Sequence, residues 1–575
     1  RRPEPPPRRR TQEVSVNVAE RAVPLTRPER APDAGPLDDR LYDLVEERFR
    51  RIVRQNPVIG TYLGLHWADD AWGDGSREAV LEDLAAERAH LAAIEALDPA
   101  GLSATAQLER ELELHNVRRA ILDTDVIRTW ERRSTALDTV GDGLFLLFAR
   151  DFSPQPDRIE SIAGRLEALP AYLDQHRTRA TVPQVRLWQQ LEIDAAGDLP
   201  VFLDEIVAAG RAVLGERSLG RLERSVSGAN AALEAYAGWL RETLGSGTDD
   251  WALGRERYDE LVAHRAFDGL AADAILAIGE EQLASNKAAR AAAAREIDPS
   301  VDEGTVVDRL KSDHAPTFEA ALEEYREVMV RARAYLIEHD IVTVPDDERI
   351  EVIRTPAYLA NVIPFAAYFE PPKFDPRPSG IYIVTPSVGG DPNAMREHNH
   401  SSISNTSIHE AYPGHHLQLS VSSRHPSLTR LVTDAPEFTE GWGMYSEQMM
   451  REQGFDAAAN FRLNMHTDAI WRACRIILDV RMHRGEIGVD EATEFMVRHT
   501  SFERANAHAE VVRYTYTPTY QLSYLLGKVL LLQLRADEQR RLGDRFSLRG
   551  FHDALLRNGS LPISFHRRIL AGEAG

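Results

Sequence analysis

The sequence predicts a mainly α-helical protein of irregular architecture, with a small β-sheet inserted late in the chain and a central cleft. Three observations predict it. Apolar residues recur at helical spacing over most of the chain before Asp340, a short β-rich interval follows, and helical patterning then returns around a cluster of histidines and carboxylates.

From Asp38 onward, Leu41, Leu44, Val45, Phe49 and Ile52 fall on one stripe at steps of three and four, the period of a helix with one buried face. Ala-, Glu-, Arg- and Leu-rich segments continue this pattern to about Asp340, with no fixed period that would indicate a solenoid. Ahead of them, residues 1–36 open with RRPEPPPRRR; the stretch lacks the apolar core of a signal peptide and reads as a disordered arm. Between about Ile341 and Pro386, the segments IVTVP, RIEVIRTP, AAYFEPP and SGIYIVTP are β-rich and separated by Pro and charged turns, which predicts a small sheet. SNTSIHEAYPGHHLQLS resumes helix, and TEGWGMYSEQMM opens another at Glu440. A further helix spans about Asp456 to His483, and an apolar one opened by Pro518 runs through Leu534. The expected organisation is thus the arm over 1–36, an N-terminal helical region over 37–340 forming one wall of the cleft, and over 341–575 the sheet with the chemistry-bearing helices, the last two regions packed as one body.

Composition narrows the function classes. With 43% hydrophobic and 27% charged residues in 575, the chain has the make-up of a globular protein, and no apolar run approaches the roughly 20 residues that cross a bilayer. A formal charge of -22 argues against a nucleic-acid partner, because neutralising phosphates takes clustered Lys and Arg. Cys474 is the only cysteine, so no intrachain disulfide or thiolate cluster can form; lying among Ile470, Ala473 and Ile477, it reads as a core residue. Lacking a signal peptide, the sequence as given favours a soluble, cytoplasmic protein. Nothing in it specifies an oligomeric state.

His409 and Glu410 open the chemistry. In zinc hydrolases of the HExxH type, two histidines one helical turn apart face the metal, and the Glu beside the first polarises the water. Here position 413 is proline, and His415 and His416 follow Gly414. An unbroken helix would carry His415 about 120° off the face of His409. Pro413, however, lacks an N–H and clashes with the carbonyl of His409, so the helix must kink or bulge, and Gly414 can absorb unusual dihedrals. His415 is the preferred second ligand; His416, on the right face but about 10.5 Å along the axis, is the alternative or a group beside the site. Glu440 is the candidate third ligand, with Gly441 and Gly443 allowing close backbone approach, and Glu447 is placed to accept a hydrogen bond from a ligand imidazole. Glu437 and Asp434 are weaker choices. VVRYTYTPTYQLSYLLGK supplies Arg513, Tyr514, Tyr516, Tyr520 and Tyr524: a phenol suits an oxyanion and an arginine suits a substrate carboxylate. His398 and His400 can line the cleft or form a secondary metal site, though a polar loop is the plainer reading. His483 ends a helix, where it complements the dipole or stands near the site.

HEAYPGHHLQ followed by EGWGMYSEQMM resembles the DUF885 family, bacterial proteins of formally unknown function grouped with the zincin-like peptidases. The resemblance covers most of the chain after about Asp38. It implies a large helical zincin-like fold of the gluzincin type, one Zn2+ ion held by His409, His415 and Glu440, and Glu410 as general base. Arg513-Tyr514 is similar to an Arg-Tyr pair of the angiotensin-converting-enzyme group of helical peptidases, which implies Tyr514 on the oxyanion. The expected function is a zinc metallopeptidase acting on short peptides, with SGIYIVTP as an edge strand that aligns substrate. The alternatives are a zinc amidohydrolase for a non-peptide amide and a catalytically silent helical binding protein.

Overall fold

A computed structural model describes residues 34–265, 267–355, 366–386, 394–500 and 502–572, together with Leu25 and Pro28. The arm read over 1–36 lies almost wholly outside the described residues. The fold is mainly helical, as the periodicity predicts. The first long helix, Pro36–Gln55, starts with Pro in its first turn and buries Leu41, Leu44, Val45, Phe49 and Val53; Ile52, at the margin of that stripe, is only partly buried. Two large cores organise the rest. One joins residues between Val58 and Leu240, mostly on the helices Ala136–Ala149, Gln155–Arg177, Arg186–Val213 and Glu216–Leu244. The other runs from Tyr258 to Ile563, so the helices Ala272–Ile297 and Phe318–Glu338 share a core with the motif-bearing helices that follow. Cys474 is fully buried within it.

The inserted sheet has three strands, β1 (Ile350–Arg354), β2 (Ala366–Phe369) and β3 (Gly380–Val384), in the order β1-β3-β2. β3 pairs parallel with β1, Ile350 opposite Gly380, and antiparallel with β2, Phe369 opposite Ile381. SGIYIVTP is therefore the central strand, buried along its length. This corrects the expectation of an edge: both sides of its backbone are already paired, and none of it can accept an added peptide strand. IVTVP forms no strand; its Ile341 and Val342 pack in the larger core.

Among the described residues, no helix is long and apolar enough to cross a membrane.

Candidate metal and active site

The helix expected to kink at Pro413 ends there instead. Helix His400–Glu410 is capped by the Asn399 side chain and stops at Ala411; a second helix, His415–Ser422, starts after Gly414. Pro413 has no N–H to give to the carbonyl of His409, and its peptide bond with Tyr412 is cis. The chain then doubles back, with the Gly414 N–H on the carbonyl of Ile408 at 3.0 Å. A Cβ at Gly414 would lie 1.8 Å from the carbonyl oxygen of His409, so only glycine permits this return. Trp442, fully buried, donates to the Pro413 carbonyl at 2.8 Å and ties the break to the helix carrying Glu440.

That helix spans Pro436–Glu452, opened by Pro436. Glu437 lies in its first turn, and Glu440 is a turn further in than the sequence suggests. The break turns His415 onto the face of His409: their rings meet edge to face with centroids 4.7 Å apart. Glu440 Oε2 lies 3.5 Å from His409 Nε2 and 3.3 Å from His415 Nε2. One ligand atom from each of the three residues lies within 4.8 Å of the others. Tetrahedral coordination at 2.0–2.1 Å implies ligand separations of about 3.3 Å, so two edges of the triangle match a common cation. Glu440 Oε2 is buried without a hydrogen-bond donor among the described residues, an acceptor of the kind a metal satisfies. These residues fit zinc.

The surroundings orient the set. Glu447 Oε1 is 2.8 Å from His409 Nδ1; a carboxylate only accepts, so it holds the proton on Nδ1 and leaves the Nε2 lone pair toward Glu440. Asn405 bridges Glu447 at 3.0 Å to Asp468 at 2.8 Å. Burial alone would lower the pKa of His409, but the carboxylates of Glu440 and Glu447 facing its two nitrogens outweigh burial and raise it to about 10. Burial likewise opposes charge on Glu440, and the two imidazoles hold it well below the usual carboxylate range all the same. A proton and a metal ion compete for the same electron pairs. Glu410 ends its helix beside His409 and is partly buried; no hydrogen bond among the described residues commits its carboxylate.

Several sequence-predicted residues lie elsewhere. Tyr514 is fully buried, and its hydroxyl donates to Glu510 at 2.8 Å and accepts from Arg475 at 3.2 Å. The phenol that reaches the ligand set is Tyr520, which donates to Glu440 Oε1 at 2.9 Å, with the Tyr524 hydroxyl 3.4 Å behind it. His416 is bound through both nitrogens, to the Tyr368 hydroxyl and to Glu348, each at 2.8 Å. It links helix to sheet and is not aimed at the ligands. Arg513 pairs with Glu510. His483 donates from Nε2 to the Tyr514 carbonyl at 2.9 Å and stacks on Tyr258, supporting the turn before Tyr520 from below. His398 is buried against Tyr325 and the Thr385 carbonyl, and His400 pairs with Glu324. Among the described residues they form no second metal cluster.

A cleft of about 700 Å³ opens on Glu440 and Tyr520, and its opposite wall includes Phe49, Tyr62 and Arg119 of the N-terminal helices. Residues that sequence reasoning passed over include Glu348, Asn405 and Asp479; Asp479 accepts the Thr519 N–H at 2.9 Å and so fixes the turn leading into Tyr520.

The chain belongs to the family described as "Bacterial protein of unknown function (DUF885)", which it matches over residues 57–570. No curated protein matches it. Among solved structures it is similar to a "putative lipoprotein of unknown function" from Shewanella oneidensis, with 21% identity, TM-score 0.75, and coverage of 92% of this chain and 99% of that one. It is also similar to a "putative lipoprotein" from Colwellia psychrerythraea, with 18% identity, TM-score 0.82, and coverage of 94% and 99%. At these identities the likeness shows a shared fold over most of the chain. It lends no support to a cytoplasmic location.

Proposed function

We propose that this member of the DUF885 family is a zinc-dependent metallopeptidase, with His409, His415 and Glu440 as metal ligands and Glu410 as general base. The observation that carries the reading is the convergence of three ligand atoms within 4.8 Å of one another, two of their separations matching tetrahedral spacing, with Glu447 fixing the proton of His409 on the far nitrogen. A zinc ion bound there supplies an acidified water and a polarised carbonyl.

The protein's own groups do the rest. Glu410, uncommitted and at the helix end, takes the proton of the attacking water and passes it to the leaving amine. Tyr520, facing the cleft, turns its hydroxyl from Glu440 to the oxyanion that develops on the substrate carbonyl. This moves to Tyr520 the role that the Arg-Tyr resemblance gave to Tyr514. Gly443 leaves room for the His409 ring, since a Cβ there would lie 2.7 Å from it.

Zinc-loaded protein and its Glu410→Gln variant, incubated with a library of short peptides, test the reading. Wild type should cleave, while the variant keeps its zinc and loses turnover by several orders of magnitude. Equal turnover in both would remove Glu410 from the mechanism, and absence of any peptide cleavage by zinc-loaded wild type would overturn the peptidase reading.

A further inference from the structure

Beside the ligand set lies a group of charged residues that the mechanism above does not use. Arg475, 3% exposed, sits on the helix Ala459–His483, and Arg513 sits near the end of helix Arg504–Tyr514. Both converge on one carboxylate. Arg475 Nη2 donates to Glu510 at 3.0 Å, and Arg513 Nη2 donates to the same Glu510 at 3.0 and 3.1 Å. Two guanidinium charges against one carboxylate leave a surplus positive charge in a mostly buried place, an arrangement that is costly unless an anion completes it.

The donors show the same surplus. Arg475 Nη1 and Arg513 Nε are buried and have no hydrogen-bond partner among the described residues. Arg475 also donates from Nε to the Tyr514 hydroxyl at 3.2 Å, and two aromatic faces flank it: its guanidinium lies 4.0 Å from the ring centre of Trp471 and 4.7 Å from that of Tyr524. The two rings stack the planar group without using its N–H donors. Only two phenols separate the pair from the ligand set, since Tyr524 meets Tyr520 and Tyr520 meets Glu440. Arg513 keeps 33% of its side chain exposed, so it is the member that a substrate can reach.

We infer that Arg513, backed by Arg475, binds the C-terminal carboxylate of the peptide, which makes the enzyme an exopeptidase that cleaves near the carboxyl end. The inference rests on the peptidase reading above and specifies its substrate. A guanidinium that keeps donors beyond those given to Glu510 suits a carboxylate by charge and by hydrogen bonding. A chain advances about 3.3–3.6 Å per residue, so an anchor two side chains away from the metal ligands sets the scissile bond within a few residues of the terminus.

Binding tests this without relying on turnover. In the zinc-loaded Glu410→Gln protein, calorimetric titration would compare three blocked pentapeptides: a free acid, its C-terminal amide, and an amide with an internal glutamate. The free acid should bind about ten- to a hundredfold more tightly than either amide, the range of one charge-assisted hydrogen-bonded pair. Adding Arg513→Gln should abolish that preference while leaving the affinity for the plain amide unchanged, and Arg513→Lys should restore part of it. Because Arg513 is the partly exposed partner, its replacement leaves the Arg475–Glu510 pair in place, and thermal unfolding checks that the variants are folded. Equal affinity for acid and amide, a preference that survives Arg513→Gln, or an internal glutamate that binds as well as the free terminus would each overturn the inference. Wild-type cleavage of the amides at internal bonds would leave the peptidase reading standing and remove only the carboxylate anchor.

Discussion

Replacing Gly443 by alanine probes the site at its tightest contact. The added Cβ would lie 2.7 Å from Cε1, 2.8 Å from Nε2 and 2.9 Å from Nδ1 of His409, where carbon atoms normally rest at about 3.5–4.0 Å. Something must give by about 0.8 Å. The Glu440 helix cannot retreat, because Gly441, about 200° around it, already packs against the opposite neighbour: a Cβ there would lie 2.5 Å from the carbonyl carbon of Gly527. The imidazole must therefore move, which stretches its 2.8 Å bond to Glu447 beyond hydrogen-bonding range. Losing such an outer contact costs about 10–100-fold in metal affinity, and the overpacking costs about 1–3 kcal/mol of stability. Zinc affinity measured by chelator competition, alongside thermal unfolding, reads both. A Gly443→Ala protein with wild-type zinc affinity and melting temperature would refute the packing argument.

Other variants separate residues that the sequence leaves together. Tyr520→Phe should lower kcat about a hundredfold, in line with about 2.7–4 kcal/mol for one oxyanion donor, with KM and zinc content little changed. Tyr514→Phe should instead lower stability by about 1–3 kcal/mol, because Glu510 and Arg475 lose a buried partner; the reverse pattern in steady-state kinetics and unfolding would return the oxyanion role to Tyr514. His416→Ala should retain zinc and unfold at lower temperature, since Glu348 keeps its charge without the imidazole, whereas His415→Ala should lose zinc. In the N-terminal core, burial raises Glu192 to about 8 from the usual 4.5, and its Oε2 has no partner among the described residues. The folded state holds that proton while the unfolded state releases it, so Glu192 costs stability progressively as pH rises through this window, and fully above about 8. Glu192→Gln should match wild type near pH 4 and exceed it by a growing margin up to pH 9; a pH-independent difference in melting temperature would contradict this.

What the sequence reveals is local, and what it hides is set by distant partners. That His409 and His415 come together is legible because Pro413 and Gly414 force a break whose consequence follows from backbone chemistry alone, and Glu440 is legible from the glycines that follow it. That the break ends one helix and starts another depends on Trp442, which grips the Pro413 carbonyl from another element. His416 stays open in the sequence as the alternative ligand, because its partner Glu348 is 68 residues away. Tyr514 and Tyr520 look alike in sequence; which one reaches Glu440 is decided by the turn at Thr519, held at positive φ with its N–H on Asp479. The central place of β3 had a signal, since GIYIV is an unbroken apolar run of the kind that a strand covered on both faces carries. The order of the strands themselves has no counterpart in the pattern.

Metal analysis of the purified full-length protein tests the central claim most directly. One zinc ion per chain in wild type is predicted, reduced to a small fraction in Glu440→Ala at unchanged helical content. Protein that carries no zinc after equilibration with the ion, or a Glu440→Ala variant that binds it as tightly as wild type, would contradict the account.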